Sequence, residues 1–325
     1  MNQMKVRISV VMCTYNGAKY LKEQLDSIIN QTYPAFEIII QDDNSIDNTW
    51  AILTEYASVY QQIKLFKNHC NIGLNQNFLN AFFKASGNYI AISDQDDVWV
   101  VDKLEQCKSL IMEKGYSMIY ADDFMIRESH LSKKLTSFPP MNIIDIVWMG
   151  VAPGHSMVFK KSVLDKIKNL KEIDFIYDWL INVISLCDGK VMKVDKPLVY
   201  WRKHENNVTD PFFTPPPILY KSPIYLILYV SKILILKKSI RNFKWQFENL
   251  YLIFSNFEDQ VDIKKILKFL SFFKEETVIS MVKAAYYYSQ IKNNLPIIDR
   301  LKEFYTVFYR YYYYQIDGYG LHGRD

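Results

Sequence analysis

The sequence predicts an α/β fold, a mostly parallel central sheet flanked by helices, with a helical C-terminal extension. Three observations predict it. Short apolar runs alternate with stretches of helical spacing three times between residues 8 and 86. Polar clusters fall directly after three of the apolar runs, at Thr14 to Gly17, Asp42 to Ser45 and Asp94 to Asp97. Beyond Pro211 and Pro215-Pro216-Pro217 the composition shifts to apolar and aromatic helical sequence.

In order, Ile8 to Cys13 reads as a strand ending at the turn Thr14-Tyr15-Asn16-Gly17. Leu21, Leu25, Ile28 and Ile29 give helical spacing to Tyr20–Gln31. Phe36 to Ile40 is a second strand, and Ser45 or Asp47 can cap the helix whose inner face is Trp50, Leu53, Ala57 and Tyr60. Ile63 to Phe66 is a third strand. Asn77 to Ser86 is helical, with Gly87 as its stop. Tyr89 to Ile92 is a buried strand running into Asp94-Gln95-Asp96-Asp97. A helix over Val101–Met112 ends at Gly115, and Tyr116 to Tyr120 is a strand before Ala121-Asp122-Asp123. Gly154 to Phe159 is a turn into a strand, Phe175 to Leu186 a helix, and Lys190–Val194 and Pro197–Arg202 are extended. This predicts one domain over residues 1–210, with halves 1–115 and 116–210, and a helical, aromatic-rich region over 218–325.

The 325 residues are 50% hydrophobic and 23% charged, which fits a globular chain. A net charge of +4 argues against a nucleic-acid partner. Cys13, Cys70, Cys107 and Cys187 form no CxxC pair, so reduced thiols and a cytoplasmic location are expected. The apolar run Ile8 to Cys13 is too short for a signal-peptide core. Pro223, Lys221 and Lys232 interrupt the apolar stretch 218–236, which argues against a spanning helix. Lys237, Lys238 and Arg241 flank that stretch, and peripheral contact with the inner face of the plasma membrane is the expectation.

The chemistry is concentrated at the three polar strand ends. Three carboxylates within four residues, Asp94, Asp96 and Asp97, repel one another unless something positive sits among them. A hard divalent cation with oxygen ligands, Mg²⁺ or Mn²⁺ held by Asp94 and Asp96, answers that need. Such an ion would neutralise a departing diphosphate. Thr14, Tyr15 and Asn16 offer a hydroxyl, a ring and an amide, and Asp43 a carboxylate, a set suited to a nucleotide base. Asp178 could take a proton from an acceptor hydroxyl as general base. His204 could complete the metal shell or donate to a diphosphate. Asp122 and Asp123 are the alternative bases, Asp97 is expected to cap the next helix, and His155 reads as a turn residue.

Residues 5–210 resemble inverting family 2 glycosyltransferases of the GT-A fold. The resemblance rests on Val11 to Gly17, Gln24 to Ile28, Gln31-Thr32-Tyr33, Asp42 to Thr49, Asn71-Ile72-Gly73 and Ser93 to Trp99. Asp94-Gln95-Asp96-Asp97-Val98-Trp99 is similar to the form seen in rhamnosyltransferase-like members of bacterial surface-polysaccharide synthesis. Gly154 to Phe159, Tyr177-Asp178-Trp179 and Tyr200 to Asn207 are similar to acceptor-side motifs of that subgroup. The resemblance implies a nucleoside-diphosphate sugar donor, dTDP-rhamnose or a UDP-sugar, and a glycan acceptor, lipid-linked, in O-antigen or capsule synthesis. It implies that Asp43 contacts the base, Asn71 belongs to the nucleotide side, Asp96 binds the metal, Asp94 the ribose or the metal, and Asp178 is the base. His204 is implied as a metal or diphosphate ligand. Tyr177 stands where the subgroup usually carries a glutamate.

Two other readings are weaker. A sugar-phosphate nucleotidyltransferase would need a glycine-rich, basic loop after the first strand, and Thr14 to Lys19 holds one glycine and one lysine. A catalytically silent scaffold would keep the carboxylates at an electrostatic cost. A nicotinamide-binding reading fails for lack of a GxGxxG turn.

Overall fold

The computed structural model describes residues 5–127, 130–136, 140–147, 152–170, 176–205, 240–275 and 278–291. The chain divides into two compact units. The first comprises Met1–Asn142, Gly150–Glu172 and Ile176–Glu205, and the second Ile143–Met149, Ile173–Phe175 and Asn206–Asp325.

The first unit is built on a nine-stranded sheet. Its strands are β1 (Ile8–Thr14), β2 (Glu37–Asp42), β3 (Ile63–Lys67), β4 (Tyr89–Ser93), β5 (Val98–Trp99), β6 (Met118–Arg127), β7 (His130–Thr136), β8 (Met157–Lys160) and β9 (Val191–Lys203). They lie in the order β3-β2-β1-β4-β8-β6-β9-β5, with β7 paired to β6. The helices are α1 (Leu21–Ile29), α2 (Thr49–Val59), α3 (Leu74–Phe82), α4 (Lys103–Lys114), α5 (Ser162–Asn169) and α6 (Tyr177–Asp188).

Strands β1 to β4 form a parallel block. Every residue of β1, β2 and β4 is buried, as expected of strands covered on both faces. Glu37 is accommodated there because Ser9, Ser86 and Lys64 all donate to its carboxylate. In the register, Thr14 is opposite Asp42 and Met12 opposite Ser93. The three polar strand ends therefore do share one edge of the sheet, where ligands of such sheets bind.

Several boundaries differ from the sequence reading. Helix α3 ends at Phe82, before Gly87. Gly87 is instead required by close packing on β1, since a Cβ there would lie 2.6 Å from Ser9 Oγ and 2.7 Å from the Arg7 carbonyl oxygen. Gly115 is the left-handed C-cap of α4, with φ of 61°. Strand β6 continues through Asp122 and Asp123, and β9 continues through Pro197. The β6–β9 register shifts beside Asp122, whose partner is Pro197, a residue with no N–H to offer the ladder.

Sheet polarity changes beyond the parallel block. Strand β8 runs antiparallel to both β4 and β6, so one short strand joins the two halves predicted from the sequence. The sheet is continuous across them.

In the second unit, α7 (Ile240–Ser255), α8 (Val261–Ser271) and α9 (Val278–Ile291) bury an aromatic core. Phe247, Phe254, Phe269 and Tyr288 are all under 4% exposed. The Phe247 and Phe273 rings stack at 4.3 Å, and each such ring contributes about 1.5–3 kcal/mol by burial. The apolar stretch 218–236, Lys237-Lys238 and Tyr311 to Tyr314 lie outside the described residues. Among the described residues no helix is long and apolar enough to cross a membrane.

Candidate active site

The site is assembled at the carboxyl edge of β1, β2 and β4. The loop after β1 is tied down by its neighbours. Thr14 Oγ1 donates to Asp42 Oδ1 at 2.9 Å. Asn16, in the left-handed region at φ of 49°, receives Ile46 N–H on its side-chain oxygen and gives its own N–H to Ser45 Oγ. Thr14 and Asn16 thus bind loop to loop, while the Tyr15 ring is 44% exposed and open to a ligand.

Gln95 clasps the same loop from the β4 side. Its Oε1 accepts Tyr15 N–H at 2.9 Å and its Nε2 donates to the Tyr15 carbonyl at 3.1 Å. Gly17 makes room for this amide, since a Cβ there would stand 2.1 Å from Gln95 Oε1.

Asp43 is 3% exposed and faces the loop before α3. Its Oδ1 accepts from Asn68 and from Ile72 N–H, and its Oδ2 accepts Gly73 N–H, each at 2.7 to 2.9 Å. Asn71, exposed, also accepts Gly73 N–H. Asp43 and Asn71 therefore shape one loop together.

The carboxylates of the third strand end diverge. Asp96 Oδ2 lies 2.8 Å from His204 Nε2. Burial pushes the Asp96 carboxyl up, with Asp94 adding to it and the His204 bond opposing. Asp94 is the more open of the two, its side chain 34% exposed against 18% for Asp96. Arg202, at the end of β9, donates to the Asp96 carbonyl and to Glu23 and lies over the Tyr20 ring.

Asp97 does not cap a helix. Residues 98–99 form β5, and α4 starts only at Lys103. Asp97 is 1% exposed, its Oδ1 accepts Arg202 N–H, and its Oδ2 has no hydrogen-bond partner among the described residues. Burial pushes its carboxyl well above the usual range.

His155 turns out to be more than a turn residue. It sits buried in the single turn Gly154–Ser156 ahead of β8. Its Nε2 lies 2.7 Å from Asp123 Oδ2, and its Nδ1 lies 3.4 Å from Asp94 Oδ2 and 3.9 Å from Asp97 Oδ2. Burial would lower the imidazole's affinity for a proton, but Asp123, Asp94 and Asp97 outweigh it and hold it well above the ordinary range. Lys103 Nζ, fully buried, donates to the His155 carbonyl at 2.6 Å, and its desolvation brings it down to about 8. A turn histidine next to a glycine gave no sequence signal for this role. The signal that existed was the pair Asp122-Asp123, which no apolar strand would carry without a cationic partner.

Asp178 stands in the first turn of α6. Burial raises its carboxyl to about 6, opposed by the N–H of Trp179 and reinforced by the charge of Asp94. The neighbouring Tyr177 is buried and stacks on Phe78 at 4.3 Å. Its hydroxyl packs against Gly154, where a Cβ would approach it to 2.5 Å. Tyr177 is thus part of the core that seats α6, and Asp178 is the acidic group this helix turn presents.

Of the expected site residues, Asp96 and His204 are brought into direct contact, and Asp94 reaches Asp96 and Asp178 through its charge while its carboxylate lies beside His155. Among the described residues, the three potential metal ligands whose atoms lie within 4.8 Å of one another are Asp94, Asp97 and His155, which differs from the expected set of Asp94, Asp96 and His204.

The class to which this sheet belongs is shown by the sequence. Residues 9–168 match the profile of Glycosyl transferase family 2, and the chain carries a glycosyltransferase domain of that family. Among its relatives is the dTDP-rhamnosyl transferase RfbG of Shigella flexneri, 28% identical over 209 residues, covering 60% of this chain and 72% of that protein. Another is the putative teichuronic acid biosynthesis glycosyltransferase TuaG of Bacillus subtilis, 33% identical over 129 residues, covering 38% of this chain and 51% of TuaG. A third is the UDP-Glc:alpha-D-GlcNAc-diphosphoundecaprenol beta-1,3-glucosyltransferase WfgD of Escherichia coli, 30% identical and covering 40% of this chain. The matched segment spans about half the length of TuaG and of WfgD. In fold, the chain resembles S. aureus TarS 1-349 solved in complex with UDP-GlcNAc, with a TM-score of 0.54, 18% identity, and coverage of 94% of this chain and 90% of that one. The GT-A architecture expected from the sequence is therefore the one found.

Proposed function

We propose that this chain is an inverting, metal-dependent glycosyltransferase of surface-polysaccharide synthesis. It moves a sugar from a nucleoside-diphosphate donor to a hydroxyl of a glycan acceptor. The observation that carries this reading is the Asp96–His204 contact at the carboxyl edge of the sheet, with the charge of Asp94 felt by both Asp96 and Asp178.

The residues fit a divalent cation. Asp94 and Asp96 offer hard oxygen ligands, His204 a ring nitrogen already 2.8 Å from Asp96, and burial leaves Asp96 short of positive charge. Asp94, Asp96 and His204 would hold Mg²⁺ or Mn²⁺, which supplies charge neutralisation at the departing diphosphate. The chain's own groups do the rest. The exposed Tyr15 ring supplies a stacking face for the base, and Asp43 with Asn71 shapes the loop beside it. Asp178 takes the acceptor hydroxyl's proton as its oxygen bonds to the anomeric carbon. The bond from that carbon to the diphosphate oxygen breaks, and the electron pair leaves with the diphosphate. One displacement inverts the anomeric centre.

The relatives favour a dTDP- or UDP-sugar donor, dTDP-rhamnose first, and a lipid-linked acceptor. An acceptor of that kind would place the enzyme at the inner face of the plasma membrane. Donor hydrolysis across a sugar-nucleotide panel, with and without EDTA, tests the reading for wild type and Asp96→Ala. Turnover that needs the metal and Asp96 supports it, whereas full activity in EDTA would sink the metal requirement.

A further inference from the structure

We infer that His155 is a positioning residue for the donor site, a strut that fixes the Asp94 carboxylate from the acceptor side of the sheet. The inference rests on the proposed donor-binding role of the turn 94–97 and adds a residue to it.

The ring of His155 has polar partners at both ends. Nε2 is 2.7 Å from Asp123 Oδ2, and Nδ1 is 3.4 Å from Asp94 Oδ2. Asp123 is 2% exposed and anchored in β6, so the far end of the strut is fixed. The near end reaches a carboxylate that is one-third exposed. The ring is held by its burial and its Asp123 contact, and Lys103 fixes the backbone beneath it by donating to the His155 carbonyl at 2.6 Å. One imidazole thus links a strand of the acceptor half to a donor-side carboxylate 61 residues earlier in the chain.

Of the two carboxylates facing Nδ1, the nearer is Asp94. Asp97 Oδ2 is buried without a hydrogen-bond partner among the described residues, yet His155 Nδ1 is nearer to Asp94, at 3.4 Å against 3.9 Å. Orientation of a ligand by a histidine that is itself oriented by a buried carboxylate is the general way such sites are stiffened.

The test is the affinity of the full chain for UDP and dTDP with Mn²⁺, by titration calorimetry, for wild type and for His155→Asn, Asp123→Asn and the double variant. The expected result is about tenfold weaker nucleotide binding in each single variant, the usual scale for such supporting groups. The double variant is expected to be no weaker than either single one, because both remove the same strut. A merely structural role would lower Tm and leave this non-additivity absent. Asp123→Asn preserves shape and stands in should His155→Asn fold poorly. Nucleotide affinity within twofold of wild type in both single variants would overturn the inference. So would loss of binding of Mn²⁺ alone in His155→Asn, which would make the residue a ligand. If Asp96→Asn binds as wild type does, the donor-site reading itself fails and the strut falls with it. Wild-type-like binding by His155→Asn beside weak binding by Asp96→Asn isolates the failure to the strut.

Discussion

His204 Nε2 and Asp96 Oδ2 lie 2.8 Å apart although 108 residues separate them in the chain. The pair closes the end of β9 onto the turn after β4. It brings a ring nitrogen to a carboxylate that burial has made short of positive charge.

Asp96→Asn should therefore reduce Mn²⁺-dependent donor hydrolysis by about 10²-fold or more, the scale for removing a group that stabilises departing charge. His204→Asn should reduce it by about tenfold, with partial recovery at higher Mn²⁺. Initial rates against metal concentration check both. Equal rates for His204→Asn and wild type at every metal concentration would remove His204 from the site.

Asp178 gives the reaction a pH signature. Its carboxyl stands at about 6 against an ordinary 3.8, raised by burial. A general base must be ionised, so kcat/KM should rise with pH and reach half its plateau near 6. Asp178→Asn should abolish the activity. Stability runs the other way. A carboxyl raised in the folded state makes the fold less stable as pH climbs from about 4 to about 6, with no further change above. Asp178→Asn should then leave Tm at pH 7 unchanged or higher, which separates its catalytic loss from unfolding.

The Gln95 clasp predicts a donor effect. Gln95→Ala removes two hydrogen bonds to the Tyr15 backbone, worth about 0.5–1.5 kcal/mol each. If Tyr15 supplies the proposed stacking face, that face loosens, and KM for the donor should rise by about fivefold to 150-fold with a smaller change in kcat. Gly17→Ala should act in the same direction, because its Cβ displaces the same amide. Steady-state kinetics for the two variants check it. A change confined to kcat would count against a binding role.

Glu37 predicts acid lability of the sheet. Burial would raise its carboxyl, but hydrogen bonds from Lys64, Ser86 and Ser9 outweigh it and bring it from 4.5 to about 2. That stability is present above about 4.5 and is lost as pH falls toward 2. Glu37→Gln should lower stability by about 2–3 kcal/mol at pH 7. The deficit should narrow progressively below pH 4.5, as seen by urea denaturation at several pH values.

The parallel block was legible in the sequence because strands buried on both faces read as unbroken apolar runs, as Val10 to Met12 and Ile38 to Ile40 do. The carboxyl edge was legible for a related reason: polar residues at the ends of such runs have few places to go. The half over residues 116–210 was harder. Strand β6 carries Asp122 and Asp123 in its middle, and their acceptability depends on Lys193 and His155, which only the fold brings near. Asp97 read as a cap because carboxylates before a helix usually are. The two-residue strand β5, which delays the helix to Lys103, has no periodicity to detect. The helices past residue 240 were visible as a class, from an apolar and aromatic-rich composition.

The antiparallel strand β8, wedged between β4 and β6, has a consequence for how this protein can be cut or recombined. A fragment ending at Gly115 would leave β4 with a bare flank of unpaired amides and carbonyls, an invitation to self-association. Chimeras that swap the front portion between relatives should therefore carry Met157–Lys160 along with it, or exchange the whole sheet. The natural crossover points for recombination lie in the loops at the carboxyl edge, where Asn71 and Tyr15 can be varied without opening a seam.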